Sequence, residues 1–175
     1  MKGSGMRRTV VQVVALVVVL LVLAGGAAAL WVALASPPQW EVTQQGVVLT
    51  EEASGAQVGV ELLFVVIGAA VAALWGLVAG FVLRRLGWVV VPLTVGATLA
   101  ASVLTWRLGV ELGPEGPLAS RDLPIGTRIP AQLAVDSPAS FVVWAIAGLV
   151  GVFVVTWAAG RRPDVSERSA PALHP

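Results

Sequence analysis

The sequence predicts an all-α membrane protein: a bundle of four transmembrane helices with a small extracytoplasmic loop cap, in which short β-strands are expected. The first observation is composition, because 57% of the residues are hydrophobic and 12% are charged, against roughly 45–50% and about 25% in soluble domains. A mean hydropathy of +0.89 is too high for the core of one small soluble domain. The second observation is that the apolar residues fall into four long segments. Together they exclude an ordinary soluble enzyme, a disordered protein and a nucleic-acid-binding protein.

Each apolar segment is long enough to cross a bilayer, because a hydrocarbon core about 30 Å thick needs roughly 20 helical residues. The predicted spans are residues 10–35, 62–83, 88–106 and 140–158. The predicted connections are a cytoplasmic N-terminus 1–9, an extracytoplasmic loop 36–61, a cytoplasmic link 84–87, a second extracytoplasmic loop 107–139 and a cytoplasmic tail 159–175, expected to be disordered.

One alternative stays open for the first segment. Ala33-Leu34-Ala35 before Ser36 is typical of the small-residue cleavage site of a signal peptide. The apolar run before it is longer than the 7–15 residues usual in signal peptides, which favours an uncleaved span. Cleavage would leave three spans with the N-terminus outside.

The distribution of basic residues predicts that both termini are cytoplasmic. Eight of the 11 Lys and Arg residues lie in the N-terminal segment, the link 84–87 and the C-terminal tail. An excess of Lys and Arg marks the cytoplasmic side of a membrane protein. The topology signals are three arginine pairs, Arg7, Arg8, Arg84, Arg85, Arg161 and Arg162.

Tryptophan and small residues predict how the helices sit in the membrane and against each other. Indole rings prefer the headgroup level, which predicts interface anchors at the span ends: Trp31, Trp88, Trp106, Trp144 and Trp157. Small residues let helix backbones approach closely, which predicts the packing residues Gly68, Ala72, Gly76, Gly80 and Gly96. These small residues serve either packing within the bundle or the docking of a partner helix.

The outer loops differ in predicted structure. Apolar and β-branched residues on both sides of Gln44-Gln45-Gly46 predict a short β-hairpin in the first loop. The prolines of residues 107–139 argue against a helix there, and residues 131–135 are expected to form a third strand.

The sequence lacks the groups that most catalytic and metal sites need. It has no Cys, and its one His is His174 near the C-terminus, so the usual zinc ligands cannot be assembled within one chain. No predicted span contains an ionisable residue in its interior, which argues against a self-contained proton-coupled transporter or ion channel. We therefore expect no enzymatic activity, no cofactor and no metal.

The charged residues nearest the membrane are Glu61, just before the second span, and Arg107, just after the third. Both are predicted at the outer interface. Three interpretations stay open: an ion pair between them, two anchoring residues without mutual contact, and a ligand site.

The string TWRLGVELGP at residues 105–114 resembles the W-R-L-G-x-x-L-G-P stretch of an actinobacterial family of small four-span membrane proteins. That family is classed as a domain of unknown function and is sometimes labelled a transporter permease. The resemblance covers roughly residues 30–160 and implies a multi-span protein of the bacterial inner membrane without implying an activity. This chain has Glu61 where Asp is expected in the family. Further points of resemblance are GVVL at 46–49, Phe64 after the acidic residue, and Arg84-Arg85.

The leading functional hypothesis is a structural or accessory membrane protein that binds another envelope protein. One alternative is a component of a transporter or permease that builds its pathway by oligomerising. The other is a protein that binds a lipid or small molecule at the outer interface around Glu61 and Arg107. The expected partners are membrane lipids and either a membrane protein or further copies of the same chain, and not nucleic acid.

Overall fold

The computed structural model describes residues 3–43, 46–49, 51–114 and 128–161. Its four long helices are α1 (Gly3–Leu34), α2 (Glu51–Val82), α3 (Val90–Leu112) and α4 (Pro138–Gly160). Each contains a stretch long and apolar enough to cross a membrane, with mean hydropathies of 2.9, 2.6, 1.8 and 2.3 in chain order. The fold is therefore an all-α four-helix bundle of an integral membrane protein.

All four helices extend beyond the predicted spans, and α2 and α3 extend furthest into the predicted outer loops. Helix α2 begins at Glu51, inside the region predicted as the first outer loop. Its first eleven residues include three glutamates and one glutamine, so this part of the helix is suited to water and not to the apolar layer. Helix α3 ends at Leu112, which corrects the expectation of no helix after residue 106. The first proline after residue 106 is Pro114, so each residue from 107 to the end of α3 keeps its backbone hydrogen-bond donor.

A small antiparallel sheet lies among the connections at one end of the bundle. Its strands are β1 (Gln39–Thr43), β2 (Gly46–Leu49) and β3 (Arg128–Pro130), in the order β2-β1-β3. Trp40 faces Leu49 on one side and Ile129 on the other in the Cα register. The residues Gln44 and Gln45, where the hairpin turn was predicted, lie outside the described residues.

The third strand does not occupy the predicted residues. It ends at Pro130, and the expected strand at 131–135 is wrong because that segment has no regular structure. Only Ala131 continues the pairing, by donating its N–H to the Pro38 carbonyl at 2.7 Å. The alternating apolar residues of that segment are explained by burial without a strand. Ala131 and Leu133 are both buried, and Leu133 belongs to the main core cluster.

The tightest packing in the bundle is between α2 and α4. A Cβ atom built on Gly76 would overlap the Gly148 carbonyl oxygen, and one on Gly151 would overlap the Ala73 carbonyl oxygen. Such close contact requires glycine at Gly76 and Gly151, and it supplies the dispersion energy that holds helices together in lipid. The predicted packing residues of α2 all lie on this buried face: Gly68, Ala72, Gly76 and Gly80.

Gly96 differs from the prediction. It is exposed on α3, and a Cβ atom built there would meet nothing within 4 Å. Helix α3 instead turns a row of hydroxyl residues into the bundle, so its packing face could not be found from glycine and alanine alone. The buried members of that row are Thr94, Thr98, Ser102 and Thr105.

Candidate functional site

Glu61 connects α2 to the beginning of α4. Its Oε1 atom accepts hydrogen bonds from the Ser137 backbone N–H at 3.2 Å and from the Ser140 hydroxyl at 2.5 Å. Ser137 is the N-cap of α4, and its own hydroxyl oxygen accepts from the Ala139 N–H at 3.3 Å. A carboxylate at a helix N-terminus is favoured by the helix dipole and by the unpaired backbone N–H groups there. The Glu61 carboxylate therefore joins α2 to the N-terminus of α4.

A second polar contact lies one helical turn before Glu61. The Gln57 side-chain amide donates to the Asp136 carboxylate at 3.0 Å. Residues four apart lie on one face of a helix, so Gln57 and Glu61 contact the same segment before α4. This pair of contacts fixes the path of the chain into α4.

The structure does not bring Glu61 and Arg107 together as an ion pair. Arg107 is exposed, and its guanidinium carbon lies 5.1 Å from the centre of the Trp106 ring. Within the described part of the chain, the bonding partners of the Glu61 carboxylate are Ser137 and Ser140. The two residues are on different helices, and sequence spacing alone could not show which neighbours each would meet.

Trp31 is not at the lipid interface as predicted, because its side chain is completely buried. Its indole N–H donates to the Val60 carbonyl at 2.9 Å, and its ring meets Phe64 edge-on with 5.2 Å between ring centres. A Cβ atom on Gly109 would overlap the ring, so Gly109 makes room for Trp31 between α1 and α3. The position of Trp31 near a span end predicts its depth in the membrane but does not predict which face of α1 it lies on.

Trp144 is also buried, which corrects its prediction as an interface anchor. It lies against Gly68, whose missing side chain leaves space for the indole. Its Nε1–H is buried without a hydrogen-bond partner among the described residues. Phe64 packs against it with ring centres 5.7 Å apart.

The other three tryptophans remain accessible to a surrounding membrane. Trp88 and Trp157 are exposed, and Trp106 is half-buried against Phe141 with ring centres 5.9 Å apart. Their role as interface anchors stays a prediction. Trp75 on α2, in contrast, is buried and donates its indole N–H to the Leu16 carbonyl of α1 at 2.9 Å.

Sequence reasoning missed the hydroxyl row of α3. Thr94 and Thr98 bond the backbone carbonyls of Val90 and Thr94 at 2.7 Å each, so their polar atoms are satisfied within the helix. Thr105 bonds the Ala24 carbonyl at 3.1 Å and so joins α3 to α1. The spacing of Thr94, Thr98 and Ser102 by four residues was a visible signal, since it places them on one helix face.

The arginines predicted as topology signals lie together at one end of the bundle, opposite the sheet. We call this the arginine-rich end, defined by Arg7, Arg8, Arg84, Arg85 and Arg161. All five are exposed, and Arg162 lies outside the described residues. The Arg161 guanidinium lies over the Trp157 ring at 3.3 Å from its centre, a cation–π contact.

The polar groups described above make hydrogen bonds that hold the helices together. Within residues 3–43, 46–49, 51–114 and 128–161, no group of three or more His, Cys, Asp or Glu side chains is placed to hold a metal ion. Comparisons with known proteins add no relative, because no family model, no curated protein and no solved structure matches the chain.

Proposed function

We propose that this protein is a non-enzymatic accessory protein of the bacterial inner membrane, which acts by binding another membrane-embedded envelope protein. The observation that carries the proposal is the backbone contact of Gly76 with Gly148. Because that contact leaves no space between α2 and α4 at this level, it argues against a substrate path between these two helices and favours a function on the outer surfaces.

The rest of the interior supports the same interpretation. Ala72 and Ala79 are buried on α2, and the hydroxyl groups of Thr94 and Thr98 bond their own helix. A transport pathway through one chain needs polar groups that face a cavity and exchange partners with a substrate. These hydroxyl groups are small and already paired with backbone carbonyls.

Helix α1 offers the most open surface for a partner helix. Its most apolar stretch is 22% buried, against 28% to 39% for the other three helices. Gly25, Ala29 and Ala33 follow each other at intervals of four residues, with Ala29 and Ala33 exposed and open space around Gly25. Small residues at this spacing allow a second helix to approach closely. We assign the partner contact to this face of α1.

The proposed orientation follows from the arginines. Residues Arg84 and Arg85 lie at the arginine-rich end with the N-terminal Arg7 and Arg8, and the positive-inside rule places this end in the cytoplasm. The sheet then lies outside, where it would form the predicted cap and a second surface for an envelope partner. Membership of the actinobacterial family also stays a prediction.

The two alternatives predict different assemblies. A transporter or permease component would form a homo-oligomer with its pathway between chains. Ligand binding at the outer interface would use Glu61 and Arg107, but the hydrogen bonds of Glu61 to Ser137 and Ser140 favour a structural role for that carboxylate.

Site-directed photo-crosslinking in native membranes tests the proposal. A photoreactive amino acid at Ala29 should give one discrete product that contains a second polypeptide. The matched control is Ala70, an exposed alanine in the middle of α2, which should give only lipid adducts. A product that contains two copies of this chain would favour the oligomeric alternative, and lipid adducts at both positions would contradict the assignment of α1.

A further inference from the structure

A polar cavity opens at the arginine-rich end, between the first turns of α1 and the connection from α2 to α3. Its volume is about 630 Å³. Helix α1 contributes Arg8, Thr9 and Gln12 to its wall, and the connection contributes Arg84 and Arg85. Three arginines and two further residues with hydrogen-bonding side chains therefore line one space.

Two apolar clefts adjoin this cavity. One, of about 530 Å³, runs along Val154, Val155 and Ala159 of α4, and the other, of about 380 Å³, lies between α3 and α4. Arg84 lines the polar cavity and both clefts, so charged and apolar walls meet at this one residue. Residues on the cleft walls are exposed on the outside of the bundle, among them Val91, Phe153 and Ala158.

The local fold sets the position of the two arginines. Leu83 is buried against Val90 and Val152, and Leu86 packs on the same cluster. The Leu86 N–H donates to the Leu83 carbonyl at 2.8 Å, which closes the first turn of a 3₁₀ helix from Arg84 to Val89. The buried leucines on both sides of Arg84 and Arg85 leave those two side chains outside the core.

The charge of this region is uncompensated within the described residues. The described parts of the arginine-rich end contain five arginines and no Asp or Glu, since none occurs in residues 3–40, 62–110 or 137–161. A single-sign positive field over a cavity raises the local concentration of anions. Guanidinium forks also match the geometry of phosphate oxygens.

We propose that this end of the bundle is a binding site for one anionic diacyl phospholipid of the adjacent leaflet. Arg84, Arg85 and Arg8 bind the phosphate of the headgroup, and the two apolar clefts take the acyl chains. A free phosphate would satisfy the arginines but leave both clefts empty, whereas a phospholipid fits both kinds of wall. The proposal does not depend on the accessory function or on which side of the membrane is cytoplasmic.

Native mass spectrometry of the full chain in a neutral detergent tests the site. Phosphatidylglycerol should remain bound after detergent removal, while phosphatidylcholine with the same acyl chains should be lost. Because each basic residue near a lipid surface contributes about 1 kcal/mol, the double variant Arg84→Gln/Arg85→Gln should bind phosphatidylglycerol about 30-fold more weakly.

The matched control removes the same charge from the same end. Arg7→Gln/Arg161→Gln changes two exposed arginines that line neither the cavity nor the clefts, and it should bind phosphatidylglycerol within about threefold of the wild-type chain. Equal losses in the two double variants would show attraction to the general positive field and would overturn the site.

A second pair of variants tests the clefts without changing charge. Ala159→Trp fills the larger cleft and should weaken phosphatidylglycerol binding, while Val150→Trp, at an exposed position of α4 outside both clefts, should not. Soluble glycerol phosphate should fail to displace the lipid. Displacement by glycerol phosphate, or identical binding by the two tryptophan variants, would contradict a diacyl lipid as the occupant.

Discussion

Gly76 of α2 lies directly against the backbone of Gly148 of α4, so close that no side chain fits between the two helices at this point. Residues one helical turn away repeat the arrangement, with Gly80 near the Val152 backbone and Gly151 near Ala73. The interface between α2 and α4 is therefore closed along its middle by backbone atoms. This closure is the observation on which the proposed function at the outer surfaces rests.

Replacing Gly76 with alanine should destabilise the bundle. The new methyl group would overlap the Gly148 carbonyl, and such overpacking costs about 1–3 kcal/mol. The matched variant Gly96→Ala adds the same methyl group in open space on α3 and should be neutral or stabilising by up to about 1 kcal/mol. Free energies of unfolding in mixed micelles measure both effects, and similar losses in the two variants would be inconsistent with the α2–α4 contact.

Removing the Glu61 carboxylate should loosen the junction of α2 with α4. Glu61→Ala deletes the acceptor of two hydrogen bonds, from Ser137 and Ser140, and a hydrogen bond to a charged group contributes about 1.5–3 kcal/mol. Glu61→Gln keeps one carbonyl oxygen as an acceptor and should lose less stability than Glu61→Ala. The exposed Glu111 provides a control, since Glu111→Ala should change stability by no more than about 0.5 kcal/mol.

A double-mutant cycle identifies the partner of that carboxylate. Glu61→Ala and Ser140→Ala should show a coupling energy of about 1 kcal/mol or more, because the two side chains are hydrogen-bonded. Additive losses of unfolding free energy would argue that the Ser140 hydroxyl does not bond Glu61.

Two buried tryptophans should respond differently to replacement by phenylalanine. Trp31→Phe removes a hydrogen bond to the Val60 carbonyl, whereas Trp144→Phe removes a buried N–H that has no partner in the described structure. Both changes lose similar volume, so Trp31→Phe should cost about 1 kcal/mol more unfolding free energy. A larger loss for Trp144→Phe would point to a hydrogen bond at its indole nitrogen.

Gly87 should resist replacement because of its backbone conformation. Its φ of 60° with ψ of −134° is strained for residues that carry a Cβ, and Gly87→Ala should lose about 1–3 kcal/mol of unfolding free energy. Gly59→Ala, in open space within α2, controls for the added methyl group. If both variants have the stability of the original chain, the connection between α2 and α3 must adopt a different turn.

The four spans could be predicted because a helix that crosses lipid needs roughly 20 consecutive apolar residues, and such runs are visible in the sequence. The same argument could not decide which face of a helix is buried. Trp31 and Trp144 lie near span ends as expected, yet both are inside the bundle because Gly109 and Gly68 leave space for their rings. That match between residues on different helices is a tertiary property without a local sequence signal.

The candidate site could be predicted only in part, because its charged residues are visible in the sequence but their neighbours are set by tertiary packing. Glu61 could be predicted as a candidate because it and Arg107 are the charged residues nearest the membrane, but its partners Ser137 and Ser140 are 76 and 79 residues away in sequence. The arginine pairs were found by their charge. The cavity that Arg8 shares with Arg84 and Arg85 depends on how α1 packs beside the end of α2, which charge counting does not describe.

The most direct test of the proposed function is the mass and composition of the complex purified from native membranes in a mild detergent. The accessory function predicts a stoichiometric second polypeptide that remains with this chain through size separation and is reduced by Ala29→Leu. A homogeneous homo-oligomer, or a monomer that carries only lipid, would contradict it.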